Sequence, residues 1–137
     1  MTILAVDIGK ATGVAVMVKG EIEHKQKIVF KSLAQYESEL KEIINVWKPT
    51  HIVTCKPNRY YNTILLHGRL LGILELLSEK CKVPNYNEFH DSEVKKAIFD
   101  SPRAKKEDVM EFYDEPDNDI ADAVMFCDFA ATTLKMV

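Results

Sequence analysis

Residues 2–18 constrain the fold of this chain more than any other stretch. An apolar run over 2–6 ends on Asp7, Gly9 and Gly13 follow, and a second apolar run covers 14–18. Short, continuously apolar runs separated by glycine read as a buried strand, a turn and a second strand. The acid closing the first strand is the anomaly. A carboxylate in an apolar setting is costly unless it is paired or holds a metal ion, so Asp7 requires a partner.

The rest of the chain shows where such a hairpin could be buried. Residues 21–30 form a third strand, polar enough to face solvent on one side. Ser32 caps a helix to about Trp47, with Leu33, Tyr36, Leu40, Ile43 and Ile44 near helical spacing and Pro49 beyond its end. Residues 51–54 make a fourth strand, 62–80 a long helix and 82–89 a fifth strand. Helices follow at Asp91–Phe99, 105–112 and Asn118–Leu134. A meander of three strands, then strands alternating with helices, calls for an α/β fold with a mixed sheet and helices on its faces. With 137 residues, 47% of them hydrophobic, one ordinary core is expected, hence a single domain over 1–137.

A formal charge of −3 argues against a generic nucleic-acid binder. A metal-dependent nuclease, however, concentrates carboxylates in one place, and local basic groups still suit phosphates. Cys55, Cys81 and Cys127 are widely spaced and odd in number, which suggests neither a zinc site nor a disulfide framework. No leader pattern and no apolar stretch of membrane-spanning length is visible. The expectation is a cytoplasmic protein with no membrane contact.

Asp119 and Asp122 lie three residues apart at the start of the last helix, which puts both on one face. Ala121 and Ala123 beside them are small enough to let that helix lie close to the sheet. Taken singly, Asp117, Asp119 and Asp122 read as first-turn acids that complement the helix dipole. Together with Asp7 they form a set able to hold one or two Mg²⁺ ions, which would activate a water and stabilise the leaving oxygen of a phosphodiester.

Four ordered stretches carry a resemblance. ILAVDIGKATGVAV resembles the opening strand and hairpin of RuvC-type Holliday-junction resolvases, and DNDIADAVMFCDFA their closing D-x-x-D-A helix. HGRLLGIL is similar to the small-residue pattern of their central helix, and SEVKKAIFDSPRAKKEDV to their lysine-bearing segment, with Lys95 and Lys106 at the family's separation of eleven. The resemblance covers nearly the whole chain. It implies an RNase H-like five-stranded mixed sheet, a homodimer, Mg²⁺ or Mn²⁺, and paired nicks in four-way or branched DNA. By position it makes Asp7, Asp119 and Asp122 the metal ligands and sets Lys106 and Lys95 against the scissile phosphate, where an ammonium offsets developing charge. The plainer reading of these lysines is a solvated helix face.

The pattern breaks once. The family carries a catalytic Glu at the end of its fourth strand, but this strand reads HIVTCKPN, with Cys55 or Lys56 where the acid belongs. A thiol is a poor Mg²⁺ ligand. Another acid such as Glu75, Glu88 or Asp117 substitutes, or three carboxylates suffice, or the protein binds junctions without efficient cutting; an engineered change is a further option.

Lys56, Arg59, Tyr60 and Tyr61, with Arg103 and Lys105, make a basic and aromatic set suited to phosphates and an unstacked base. Ile64, Leu65, Leu66, Leu70, Leu71, Ile73, Leu74, Leu76 and Leu77 make the long helix apolar on more than one face, so it needs a second cover, either a dimer partner or other helices of the same chain. The competing readings are a junction-binding protein with impaired catalysis, a YqgF-like RNA-processing nuclease of the same fold, and a fragment of an actin-like or sugar-kinase ATPase, which needs two lobes and far more chain. A compact resolvase of this type suits a bacterial or phage-infected cell.

Overall fold

The computed structural model describes residues 1–57 and 61–134, apart from the side chains of Tyr61 and Asn62. Strands β1 (Thr2–Asp7), β2 (Ala11–Val18) and β3 (Glu21–Val29) form the antiparallel meander. Helix α1 (Leu33–Trp47), strand β4 (His51–Cys55), helix α2 (Tyr61–Lys80) and strand β5 (Asn85–Phe89) follow, then α3 (Asp91–Phe99), α4 (Lys106–Phe112) and α5 (Asn118–Leu134). The sheet has five strands in the order β3-β2-β1-β4-β5, with β4 parallel to both β1 and β5. This is the mixed sheet expected from the sequence.

Strands β1 and β2 lie at the centre because both of their faces are apolar. Ile3 and Ala5 of β1, with Ala15 and Met17 of β2, pack against α3, α4 and α5 through Val94, Val109, Met125 and Phe126. Leu4, Val6, Val14 and Val16 point the other way, into a second core completed by Tyr36, Leu40 and Ile44 of α1 and Leu70, Leu74 and Leu77 of α2. Side chains alternate across a strand, so a strand apolar at every position must have helices on both sides. Strand β3 lies at the edge and alternates between exposed and half-buried residues over most of its length. Ser32 accepts a hydrogen bond from the Gln35 amide at 3.1 Å and starts α1 as expected.

Strand β5 begins at Asn85 rather than at Lys82. Lys82 takes a left-handed φ of 56° and Val83 N donates to Ser78 O at 2.9 Å, so these residues close the end of α2. Among the described residues no helix is long and apolar enough to cross a membrane.

Candidate active site

Asp7 is carried to the end of β1 by the apolar run before it, and the turn that follows is pinned. Thr12, fully buried, donates from Oγ1 to Gly9 O at 2.8 Å, accepts from Gly9 N at 3.2 Å and lies 3.1 Å from the Tyr36 hydroxyl. Asp7 pairs with Gly13 across the hairpin. A side chain at position 13 would collide with the main-chain carbonyl of Asp119, so glycine is what allows the start of α5 to lie on the hairpin beside Asp7. Ala121 and Ala123, both fully buried, continue that close approach along α5.

The entry to α5 is fastened to β3. Asp117 caps the helix by accepting from Ile120 N at 3.0 Å, and its other oxygen meets Lys27 Nζ at 3.0 Å. Lys27 also reaches Asp119 at 3.3 Å, and Lys25 pairs with Glu115 at 2.7 Å. Asp119 is thus held toward β3, whereas Asp122, one turn on, lines a cleft with Asp7.

That cleft, of about 520 Å³, collects groups from six elements and their connections, with Leu66 and His67 of α2 forming part of its wall. Asp7 and Cys55 come from the ends of β1 and β4, Lys56 from the following loop, Asp91 and Lys95 from α3, Lys106 from α4 and Asp122 from α5. Burial pushes the Asp7 carboxyl well above the usual range, and the charges of Asp122, Asp119 and Asp91 push it further, against the pull of Lys95. Asp122 is pushed up to about 6, first by burial and then by Asp91 and Asp119, with Lys95 and Lys106 opposing. Burial and the neighbouring acids together outweigh the pull of the lysines on both carboxyls.

Among the described residues no three His, Cys, Asp or Glu side chains are arranged to hold a metal ion as they stand. Two of the acids are engaged elsewhere, Asp119 with Lys27 and Asp91 with Lys95 at 2.9 Å. The donor chemistry nevertheless fits a hard divalent cation: carboxylate oxygens, partly desolvated and set close enough to raise one another's proton affinity.

Cys55 supplies no such ligand. Its Sγ lies 4.0 Å from Asp7 Oδ1, and burial, then the Asp7 charge, push its thiol well above the ordinary value, so it stays protonated. None of the acids considered as substitutes lines the cleft. Glu75 is exposed on α2, Glu88 accepts from the Tyr86 hydroxyl at 2.8 Å, and Asp117 is the α5 cap. Asp91, which sequence reasoning passed over as the first residue of a helix, does line it. The available signal was its position four residues before Lys95, which makes the pair neighbours on one helix face.

Lys95 and Lys106 both face the cleft, as does Lys56. Arg103 and Lys105 line a separate depression beside Phe99 and Phe112. Arg59 and Tyr60 lie outside the described residues, as does the side chain of Tyr61.

A central hairpin ending in an acid, a parallel pair beside it and a closing helix that brings a second acid to the first make up an α/β fold of the RNase H-like type. No family model matches the chain. It is similar to the crossover junction endodeoxyribonuclease RuvC of Pseudothermotoga lettingae, 32% identical over 93 residues that cover 66% of this chain and 56% of that protein. The matched stretch thus spans little more than half of that relative. The structure matches Thermus thermophilus RuvC with a TM-score of 0.81 at 18% identity, covering 99% of this chain and 96% of that one. It matches T. thermophilus RuvC in complex with Holliday junction substrate with a TM-score of 0.81 at 19% identity and the same coverage. The chain is therefore similar to RuvC, in sequence over that stretch and in fold throughout.

Proposed function

We propose that this protein is a structure-selective endodeoxyribonuclease that resolves Holliday junctions and related branched DNA by metal-dependent paired nicking. The observation that carries the reading is the convergence of Asp7, Asp122, Lys95 and Lys106 on one cleft from strands and helices far apart in sequence. The RuvC neighbour in complex with a Holliday junction supplies the substrate class.

Asp7 and Asp122, with Asp119 at the edge, would hold Mg²⁺ or Mn²⁺. A bound ion of this kind supplies an activated water and stabilises the leaving oxygen of the cleaved phosphodiester. Lys106, exposed at the first turn of α4, and Lys95 offer ammonium groups to the scissile phosphate. Lys56 offers a further cation at the cleft for the flanking backbone, and Arg103 and Lys105 offer two more from a separate depression that they share with Asp108 and Glu111.

The active form is a homodimer joined through α2. Leu70, Leu74 and Leu77 fill the chain's own core, while Leu65 and Leu76 remain 65% and 49% exposed. Gly68 and Gly72 share that outer face, and a side chain added at either would meet open space. A two-fold dimer would present two clefts to opposed strands of a four-way junction. The setting that suits such an enzyme is the cytoplasm of a bacterial or phage-infected cell.

Cys55 favours a second reading, a junction-binding protein with impaired catalysis, because a neutral thiol stands where the family places an acid. The deciding experiment is cleavage of a labelled four-way junction against matched linear duplex in Mg²⁺ and in Mn²⁺, for the wild type and Asp7→Asn, with gel shifts in EDTA. Junction-selective nicks abolished by Asp7→Asn are expected. Selective binding without nicking in either metal would establish the binding protein, and no preference for the junction would refute both readings.

A further inference from the structure

Resting on the nuclease reading above, we infer that Asp91 completes the metal site of this chain, supplying from the start of α3 the carboxylate that is absent from the end of β4. The topology puts it in the right place. Strands β4 and β5 run parallel with Cys55 opposite Phe89, so both chains emerge from the sheet at the same end. Asp91 follows Phe89 by two residues, one strand over from the position that lacks its acid. The Lys56 amide donates to Phe89 O at 2.7 Å and ties the two exits together.

The start of α3 is itself held firmly. His90 N donates to Glu93 Oε1 at 3.0 Å, and Val94 is fully buried in the core. Asp91 is therefore presented to the cleft by a fixed helix end, alongside Asp7 and Asp122. Its charge acts on both: it is the leading acidic neighbour of Asp122 and one of those acting on Asp7. Glu75, Glu88 and Asp117, the other acids considered, have no place in that cleft.

The Asp91 carboxylate is 48% exposed and its present counterion is Lys95, at 2.9 Å. Lys95 is 17% exposed, so the pair is open to solvent on the carboxylate side, and it is that side an incoming cation can reach. When a divalent cation takes over the carboxylate, the Lys95 ammonium is released toward the cleft, where the phosphate would lie. One residue thereby both holds the ion and sets the lysine free.

The test is titration of Mn²⁺ without DNA into the wild type, Asp91→Asn and Lys95→Met, followed by the paramagnetic signal of free Mn²⁺, with thermal melts and junction nicking alongside. Asp91→Asn is expected to weaken Mn²⁺ binding by about tenfold or more and to abolish nicking, with the junction shift in EDTA retained. Lys95→Met, which breaks the same ion pair but keeps the carboxylate, is expected to bind Mn²⁺ as tightly as the wild type or more tightly. A merely structural pair predicts that the two variants behave alike. Wild-type Mn²⁺ affinity in Asp91→Asn overturns the inference while leaving the nuclease reading intact. A wild type that neither prefers nor cuts junctions refutes that reading, yet the titration still decides whether Asp91 is a ligand. If Asp91→Asn does not fold, Asp91→Ser, which keeps a residue suited to a helix start, decides by the same titration.

Discussion

At the residue scale the cleft is a store of unfavourable charge. Asp122 titrates at about 6 instead of its ordinary 3.8, so the folded protein holds that proton more tightly than the unfolded chain does. Stability from this group is present in full below the ordinary value, declines as pH rises through the window between the two values, and is lost above it. In metal-free buffer at pH 7.5, Asp122→Asn should therefore raise the melting temperature, by the equivalent of about 1–3 kcal/mol, and should have little effect near pH 3. Mn²⁺ should raise the melting temperature of the wild type, because a ligand that binds only the native state stabilises it, and should do so less for Asp122→Asn. Thermal melts across pH check both, and a fall in melting temperature for Asp122→Asn at pH 7.5 would contradict the charge argument. Asp7 was legible from the sequence because an acid ending an apolar strand is anomalous on its own. Asp91 was not, because an acid at the start of a helix is ordinary until the cleft it faces is known.

At the element scale the site depends on how closely α5 approaches the hairpin. Gly13 has no space for a side chain against the Asp119 carbonyl, so Gly13→Ala forces the start of α5 outward. The expected cost is about 1–3 kcal/mol of stability, as for other overpacked positions. Nicking should fall by far more than that loss implies, because Asp119 and Asp122 move away from Asp7. Melting temperature and single-turnover nicking check it together, and a stable variant with wild-type nicking would show that the contact does not position the acids. The glycine and the three aspartates were all readable in the sequence, but the register that sets Gly13 opposite Asp7 and beneath Asp119 was not. Likewise, the fifth strand looked longer because Lys82 and Val83 read as strand, whereas backbone hydrogen bonding uses them to end α2.

At the scale of the whole molecule, α2 divides its apolar residues between two tasks. Its inner row closes the core under β1 and β4, while Leu65, Gly68, Gly72 and Leu76 form an outer row open to solvent. If that row is the dimer interface, Leu65→Glu with Leu76→Glu should yield a folded monomer, since the substitutions place charge at exposed positions and leave the core untouched. Sedimentation equilibrium together with circular dichroism checks this. A variant that remains a dimer would move the interface elsewhere. The same monomer should bind a four-way junction more weakly and lose paired nicking in favour of single nicks.

The sequence alone determined the central hairpin, the order of strands and helices, and the presence of Asp7, Asp122, Lys95 and Lys106, because apolar runs and helical spacing are local properties that burial and hydrogen bonding enforce over a few residues. Tertiary structure decided which acids share a cleft. It turned Asp119 toward Lys27, made Asp117 a cap, left Glu75 in solvent and Glu88 on Tyr86, and brought Asp91 beside the end of β4. The reason is physical: whether two carboxylates act together depends on their separation and on the dielectric between them, and both are set by strand register and helix packing across elements far apart in the chain.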